Sequence, residues 1–542
     1  MAPVKDEINL RSITFDKVTF PDIHTGYSPL QIACIHGNHD IIMSILACSP
    51  NRLDIHIALS APVQDTQSKL HGQPTAAILQ NSFEKETKQK QGACKNLTFL
   101  EQILEHHNKV SNDLKKLVAR HGDLRQIKKF LSLGIDINQP STDKDDAGTT
   151  FCMLAAASNT RQVLEYLIQA GCNIHAHERH GNTALHFAAS TGNTENARCL
   201  LLKGAAVDQE TTWGRTPLHV AAKNGNLEAV KLLLDWGAKI DSTTVNQDTA
   251  LILAAEKGHI DVVEYLLQKS SFVNQPNLAG CTALHFVAKQ GHLGVARLLI
   301  QNGSSLNAVD KAEHQTPLFP ASGMPGNKQM VQLLLEQGSE CHLRDKRGRT
   351  PLHFAGDREI AQLLVQYRSD PELRDYYTGS TPIFHAAANG ITDVVDFLID
   401  QGFNGEHAKN SLGENPLHDV ARSGHVIVAE RLIQQGCDVN LKAMLGGVTP
   451  LILAALAGKQ EMIECLIEHG AIVNDTDNWR STALHKAVEW SSGLDTVKSL
   501  LRHGADVNAR DGQDETPANV ALRLGKTDVY QLLVQHKAVP SQ

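Results

Sequence analysis

The sequence predicts an all-α solenoid of stacked helix–turn–helix units joined by β-hairpin-like loops, and three observations carry that prediction. A T-x-L-H frame returns at Thr150, Thr183, Thr216, Thr249, Thr282, Thr316, Thr350, Thr381, Asn415, Thr449, Thr482 and Thr516, in steps of mostly 33 or 34 residues. Each copy holds two short apolar patterns of helical spacing separated by a glycine-bearing turn. Neither pattern is long enough to bury its apolar face alone, so successive copies must cover one another.

One copy, "TPLHVAAKNGNLEAVKLLLDWGAKID" from Thr216, justifies each element in order. Thr216 is placed to cap a helix whose first turn contains Pro217, where a missing N–H costs nothing. Leu218, Ala221 and Ala222 form a short inward face, and the alanines permit close helix approach. Gly225 suits the left-handed residue that ends this helix. Leu227, Val230, Leu233 and Leu234 recur at helical intervals in the second helix, Gly237 ends it, and "AKID" turns into the next loop.

The frame histidine is the first catalytic candidate. His186, His219, His285, His353, His418 and His485 share one position, which Ile252, Phe319, Phe384 and Ile452 fill in other copies. A catalytic group would neither repeat nor tolerate isoleucine. The pattern therefore predicts a neutral imidazole bonded to backbone near a repeat junction, with metal binding or proton transfer as the competing readings. "LGKT" at 524–527 resembles the end of a phosphate-binding loop, but Val520 stands where that motif needs its first glycine, so it reads as an inter-helix turn. "HAHERH" at 175–180 brings three histidines together on a loop without a fixed cysteine or carboxylate partner, so no metal site is assigned. No catalytic residue and no cofactor is expected.

The period, with "TALHFAA", "TPLHVAA" and "TPLILAA" inside it, resembles the ankyrin repeat over residues 111–540. Residues 1–110 form a divergent N-terminal region, with one repeat-like copy at about 28–50 and a polar insert, "EKETKQKQ", expected to be mobile within about 84–96. A first arc spans 111–315, irregular repeats span 316–365, and a second arc with a solvated C-terminal cap spans 366–542. Pro320 falls inside one first helix, and "AGDRE" shortens the turn of the next copy. The irregular segment is either drift or a bend between the arcs. Nothing after the last repeat reads as a recruiting box, a kinase or a channel.

The resemblance implies protein partners lying across the hairpin tips and the exposed ends of the first helices, on a long concave surface. Trp213, Trp479, Tyr376 and Tyr377 fall on such tips, and Trp490 ends a first helix, so that three of the 4 tryptophans lie there. Arg215, and Arg347 in the basic run "RDKRGR", complete the candidate partner-binding set. The same aromatics could instead pack over neighbouring hairpins, and the two readings stand level. The function expected is a non-enzymatic scaffold or adaptor. The alternatives are a regulatory or substrate-targeting subunit of a phosphatase or ubiquitin-ligase complex, and recognition of nucleotide or RNA by the basic run.

Bulk properties fit this class. The 542 residues carry a formal charge of −8, are 42% hydrophobic and only 5% aromatic, and have a pI near 6.4. Such a chain has no global attraction to nucleic acid or to an anionic membrane. No stretch reaches the ~20 apolar residues a spanning helix needs, and the N-terminus lacks a leader-like apolar core. A monomer in the cytoplasm, or also in the nucleus, is expected. The 10 cysteines are scattered singly, with no C-x-x-C pair. A thiol count on the denatured, unreduced protein should therefore find all 10 free, and a count well below that would overturn the reduced-compartment reading.

Overall fold

A computed structural model describes residues 124–132, 137–141, 147–158, 160–403, 408–490 and 494–538. The expected copy at 28–50 and the insert at 84–96 lie outside them. The chain divides into two compact units, with the boundary in sequence between Val245 and Asn246.

Both units are built from pairs of short helices. In the first, Phe151–Ala157 pairs with Arg161–Gln169, Ala184–Thr191 with Thr194–Leu202, and Pro217–Lys223 with Leu227–Asp235. In the second, pairs run from Ala250–Lys257 with Ile260–Gln268 to Pro517–Arg523 with Thr527–Gln535. Within each unit, first helices pack on the first helices of their neighbours, as Phe151–Ala157 does on Ala184–Thr191 and Pro450–Leu456 on Ala483–Trp490. Among the described residues, regular strands are absent, and two isolated bridges, His177 with Thr183 and Thr476 with Thr482, mark hairpins.

The Thr216 copy folds largely as its sequence reads. Leu218, Ala221, Ala222, Val230 and Leu233 are fully buried. Leu227 and Leu234 are only half-buried, and Ala229 and Leu232 complete the buried stripe instead. Burying such a stripe against both neighbours contributes about 25 cal/mol per Å² of apolar surface removed from water.

Five of the six frame histidines bond at both ring nitrogens, and His353 bonds Thr350 through Nδ1 alone. His219 Nδ1 lies 3.1 Å from the Thr216 amide and 2.9 Å from its hydroxyl, and Nε2 lies 2.9 Å from the Ser242 carbonyl. A carbonyl only accepts, so Nε2 carries the proton and Nδ1 is the acceptor. This is a capping box with imidazole in the place of glutamate. His186 repeats it to the Arg215 carbonyl at 3.0 Å, His285 to Gln315 at 3.1 Å and His485 to Glu515 at 3.1 Å. Where isoleucine fills the position, the threonine hydroxyl caps its amide directly, as Thr249 does for Ile252 at 3.2 Å.

The irregular copies lose helix rather than pairing. Their first helices shrink to Leu318–Ser322 and to a 3₁₀ turn over Pro351–Phe354. Phe319 packs edge-on against Phe354, with centroids 5.7 Å apart. Asp357 joins the two copies: one carboxylate oxygen caps Ile360 at 2.8 Å and the other accepts from the Gly326 amide at 2.7 Å.

Burial, which disfavours the charged ring, holds His186 down at about 4 and His353 at about 3. An unfolded chain therefore takes up protons between pH ~6.5 and ~4 that the folded chain refuses. Stability is complete above that window and falls as pH drops through it, by on the order of 3 kcal/mol for His186 alone. Denaturant titrations between pH 7 and 4 should show this slope, and His186→Ile should flatten it; an unchanged slope contradicts the assignment. With fewer helical bonds to hold them, the amides of 318–322 and 351–354 should exchange hydrogen faster than those of 283–290. Equal protection would contradict a weak point there.

Candidate functional site

The hairpin tips are held in series by backbone. The Thr212 amide donates to the His180 carbonyl at 2.9 Å and Val245 to Trp213 at 3.0 Å. In the second unit Leu278 donates to Asn246 and Lys311 to Ala279, both at 2.8 Å, and Tyr376 to Arg347 and Ser411 to Thr378, both at 2.7 Å. Met444 to Leu412 at 2.8 Å, Asn478 to Gly446 at 2.9 Å and Gly512 to Trp479 at 2.7 Å continue the chain. An inward side chain closes most tips. Asp345 accepts from the amides of Arg347 and Arg349, both at 2.9 Å, and Asp477 accepts from Trp479 at 2.9 Å and Ser481 at 2.7 Å. These carboxylates satisfy the turn and leave the following side chains facing out.

Those outward side chains include the aromatics singled out in the sequence. Trp213 is 46% exposed, Tyr376 64%, Tyr377 76% and Trp479 61%. Three of them also rest on neighbouring hairpins, so packing and exposure hold together. Trp213 stacks on His180, with centroids 4.7 Å apart at 24°, and the Arg215 guanidinium sits 5.6 Å from its ring. Tyr376 lies against Gly348, where an added Cβ would come within 2.6 Å of its Cγ, and under the Arg344 guanidinium at 4.5 Å. Trp479 covers Gly446, where a Cβ would meet Cζ3 at 3.2 Å, and Lys486 approaches its face at 5.8 Å. Both glycines have positive φ, +79° and +81°. Trp490 stands apart at the end of helix Ala483–Trp490, 65% exposed.

All four cations in the basic run bond within the protein, Arg344 through a carbonyl. Arg349 pairs with the buried Asp345 at 2.7 Å, Arg347 with Glu313 at 3.3 Å, and the Lys346 ammonium donates to the Lys311 and Ala312 carbonyls, both at 2.6 Å. "LGKT" is an inter-helix turn, with the Lys526 ammonium 2.7 Å from the Val488 carbonyl. Among the described residues no group of histidine, cysteine and carboxylate could hold a metal ion, and the seven cysteines there are free thiols. No helix among them is long and apolar enough to cross a membrane.

Two groups of tip residues escaped the sequence reading. Half-buried Leu412 and the exposed Met444 and Leu445 carry the column between Tyr377 and Trp479, with Met444 81% exposed. A second column of cations runs beside them. Aligning the hairpins on their inward residue shows both; aligning on the threonine hides them, because the tips before Thr316, Thr381 and Thr449 carry one extra residue.

The family model described as "Ankyrin repeats (3 copies)" matches residues 114–211, 152–244, 197–277, 238–310, 284–375, 356–443 and 443–511. The chain belongs to the ankyrin-repeat family. Ankyrin repeat domain-containing protein 63 of Mus musculus is 41% identical over 107 residues, covering 17% of this chain and 27% of its own length. A probable E3 ubiquitin-protein ligase, XBOS33 of Oryza sativa subsp. japonica, is 34% identical over 77 residues, 14% of this chain and 15% of that protein. The human ASB11 ankyrin repeat domain, a crystal structure, is 26% identical, covers 41% of this chain and 98% of that chain, and superposes with a TM-score of 0.37. The chain thus spans about a quarter of the length of the first curated relatives it matches. Ankyrin repeats make this a protein-interaction scaffold in kind.

Proposed function

We propose that the chain acts without catalysis of its own, as a scaffold or adaptor that holds protein partners on its hairpin tips and the exposed ends of its first helices. The observation that carries this reading is the exposure of the tip aromatics. Trp213, Tyr376 and Trp479 each rest on a neighbouring hairpin and still leave about half or more of their surface in water. Large apolar side chains displayed singly are ordinary, but rows of them on a fixed frame mark interaction surfaces, and tryptophan, tyrosine and arginine dominate binding hot spots. Arg215 and Arg347 flank that set. The rice relative, named as a probable ubiquitin ligase, favours a substrate-targeting subunit as the second form of this reading. The cytoplasm, with or without the nucleus, is the setting proposed.

The test uses partners captured by the full chain and identified by mass spectrometry. Trp213→Ala, Trp479→Ala and Trp490→Ala should each leave thermal melting nearly unchanged, and at a hot spot should weaken a partner by about 2 kcal/mol or more. Variants that melt early yet bind normally would show that these rings hold the fold and not the partner.

A further inference from the structure

We propose that the hairpins from Arg344 to Arg480 form a docking strip for an acidic, extended segment of a partner protein. The inference rests on the protein-binding reading above and adds the partner's chemistry.

Two columns of side chains coincide there. Two residues after the inward position of each hairpin, at Asp345, Asp375, Asn410, Ala443 and Asp477, the chain reads Arg347, Tyr377, Leu412, Leu445 and Trp479. One residue before it, the chain reads Arg344, Arg374, Lys409, Lys442 and Thr476. Earlier in the same unit, the corresponding residues after the inward position are Ala279 and Ala312, and those before it are Pro276 and Val309. The apolar column, Tyr377 to Trp479, and the cation column, Arg344 to Lys442, therefore overlap at the three hairpins of Asp375, Asn410 and Ala443. The tip-to-tip amide bonds through Tyr376, Ser411, Met444 and Asn478 fix their register.

Arg344, Arg374 and Lys409 keep their charge, whereas Lys442 is ion-paired. The Arg344 guanidinium donates to the Arg374 carbonyl, Arg374 to the Lys409 carbonyl at 2.5 Å, and Lys442 to the Thr476 carbonyl at 2.8 Å. A carbonyl orients a cation and leaves its charge. Asp345 and Asp375 are buried in their own turns, bonded to tip amides, and Asp475 pairs with Lys442 at 2.6 Å. Among the described residues no carboxylate pairs with Arg344, Arg374 or Lys409. The strip is thus apolar along one edge and positive along the other. It complements a segment that carries apolar side chains and carboxylates on adjacent faces. Nucleic acid would meet the charge and could stack on Tyr377 and Trp479, but Leu412, Met444 and Leu445 between them offer bases no ring, so no continuous stacking row runs along the cations, which favours a polypeptide.

Spacing narrows the conformation. Packed helices lie about 8–10 Å apart, and neighbouring tips inherit that step. A polyproline II segment rises about 3.1 Å per residue with three residues per turn, so every third side chain shares a face at intervals of about 9 Å. About ten residues with an apolar side chain at every third place would meet Tyr377, Leu412, Leu445 and Trp479 in turn, with acids between them facing the cations.

The test is fluorescence anisotropy of the full chain with a labelled peptide of four leucine–aspartate–proline triplets. The same peptide with lysine for aspartate, and an oligouridylate of equal length, serve as comparisons. The acidic peptide should bind, more weakly as salt rises. Leu445→Ser, Arg374→Glu and Lys409→Glu should each weaken it about tenfold, while Leu278→Ser, an exposed tip residue outside the strip, changes nothing. Melting of each variant checks its fold. If both peptides bind alike and only Leu445→Ser weakens them, the acidic partner is refuted while the strip survives as a protein-binding surface. If the acidic peptide fails to bind, or ignores Leu445→Ser, the strip is refuted and the wider reading is left to Trp213. Tighter binding of the oligouridylate, lost in Arg374→Glu, overturns the inference in favour of nucleic acid.

Discussion

A single backbone hydrogen bond, from the amide at the start of one hairpin tip to a carbonyl of the tip before it, is the constraint on which the surface of this protein depends. Helix stacking alone sets the distance between repeats but leaves the tips free to slide. The amide bond removes that freedom, and each inward carboxylate or amide side chain stiffens the turn that supplies it. Side chains at equivalent tip positions then stand in columns. Tyr377, Leu412, Leu445 and Trp479 form one such column, although scattered over a hundred residues of sequence.

The bond persists where the helices fail. Leu318–Ser322 and Pro351–Phe354 are the shortest elements of the second unit, yet Lys346 still donates to Glu313 at 2.8 Å and Tyr376 to Arg347 at 2.7 Å. The three tips with an extra residue, before Thr316, Thr381 and Thr449, keep it by moving the acceptor one residue on, as the Glu313 carbonyl shows. Ser411 reaches the Thr378 carbonyl and Asn478 the Gly446 carbonyl. Helix length is thus free to vary while the tip frame is kept, consistent with a surface that carries the function.

The fold was legible because its signals are local and repeated. Threonine caps, proline in the first turn, glycine after the helix and the histidine position each report a backbone need that recurs at fixed intervals. The site was legible only in part. The tryptophans and tyrosines stand out by residue type, but Met444 and Leu445 become a surface only through alignment with hairpins on either side. The basic run misled in the other direction: its charge is visible in sequence, whereas its pairing with Asp345 and Glu313 depends on contacts that sequence does not display. Asn196 is a further case. It occupies an apolar slot and is fully buried, yet its amide donates to the Ala155 carbonyl at 2.9 Å and the Ser158 carbonyl at 2.7 Å, closing a helix end that lacks a glycine.

The most direct test of this account is residue-resolved amide exchange at Tyr376, Ser411, Met444 and Asn478. Their side chains are exposed, so side-chain burial predicts rapid exchange, whereas the tip-to-tip bond predicts protection far above that of an open loop. Slow exchange at all four would establish the staple that aligns the columns. Exchange at the rate of an unstructured peptide would show that the tips move independently and that no fixed binding strip exists.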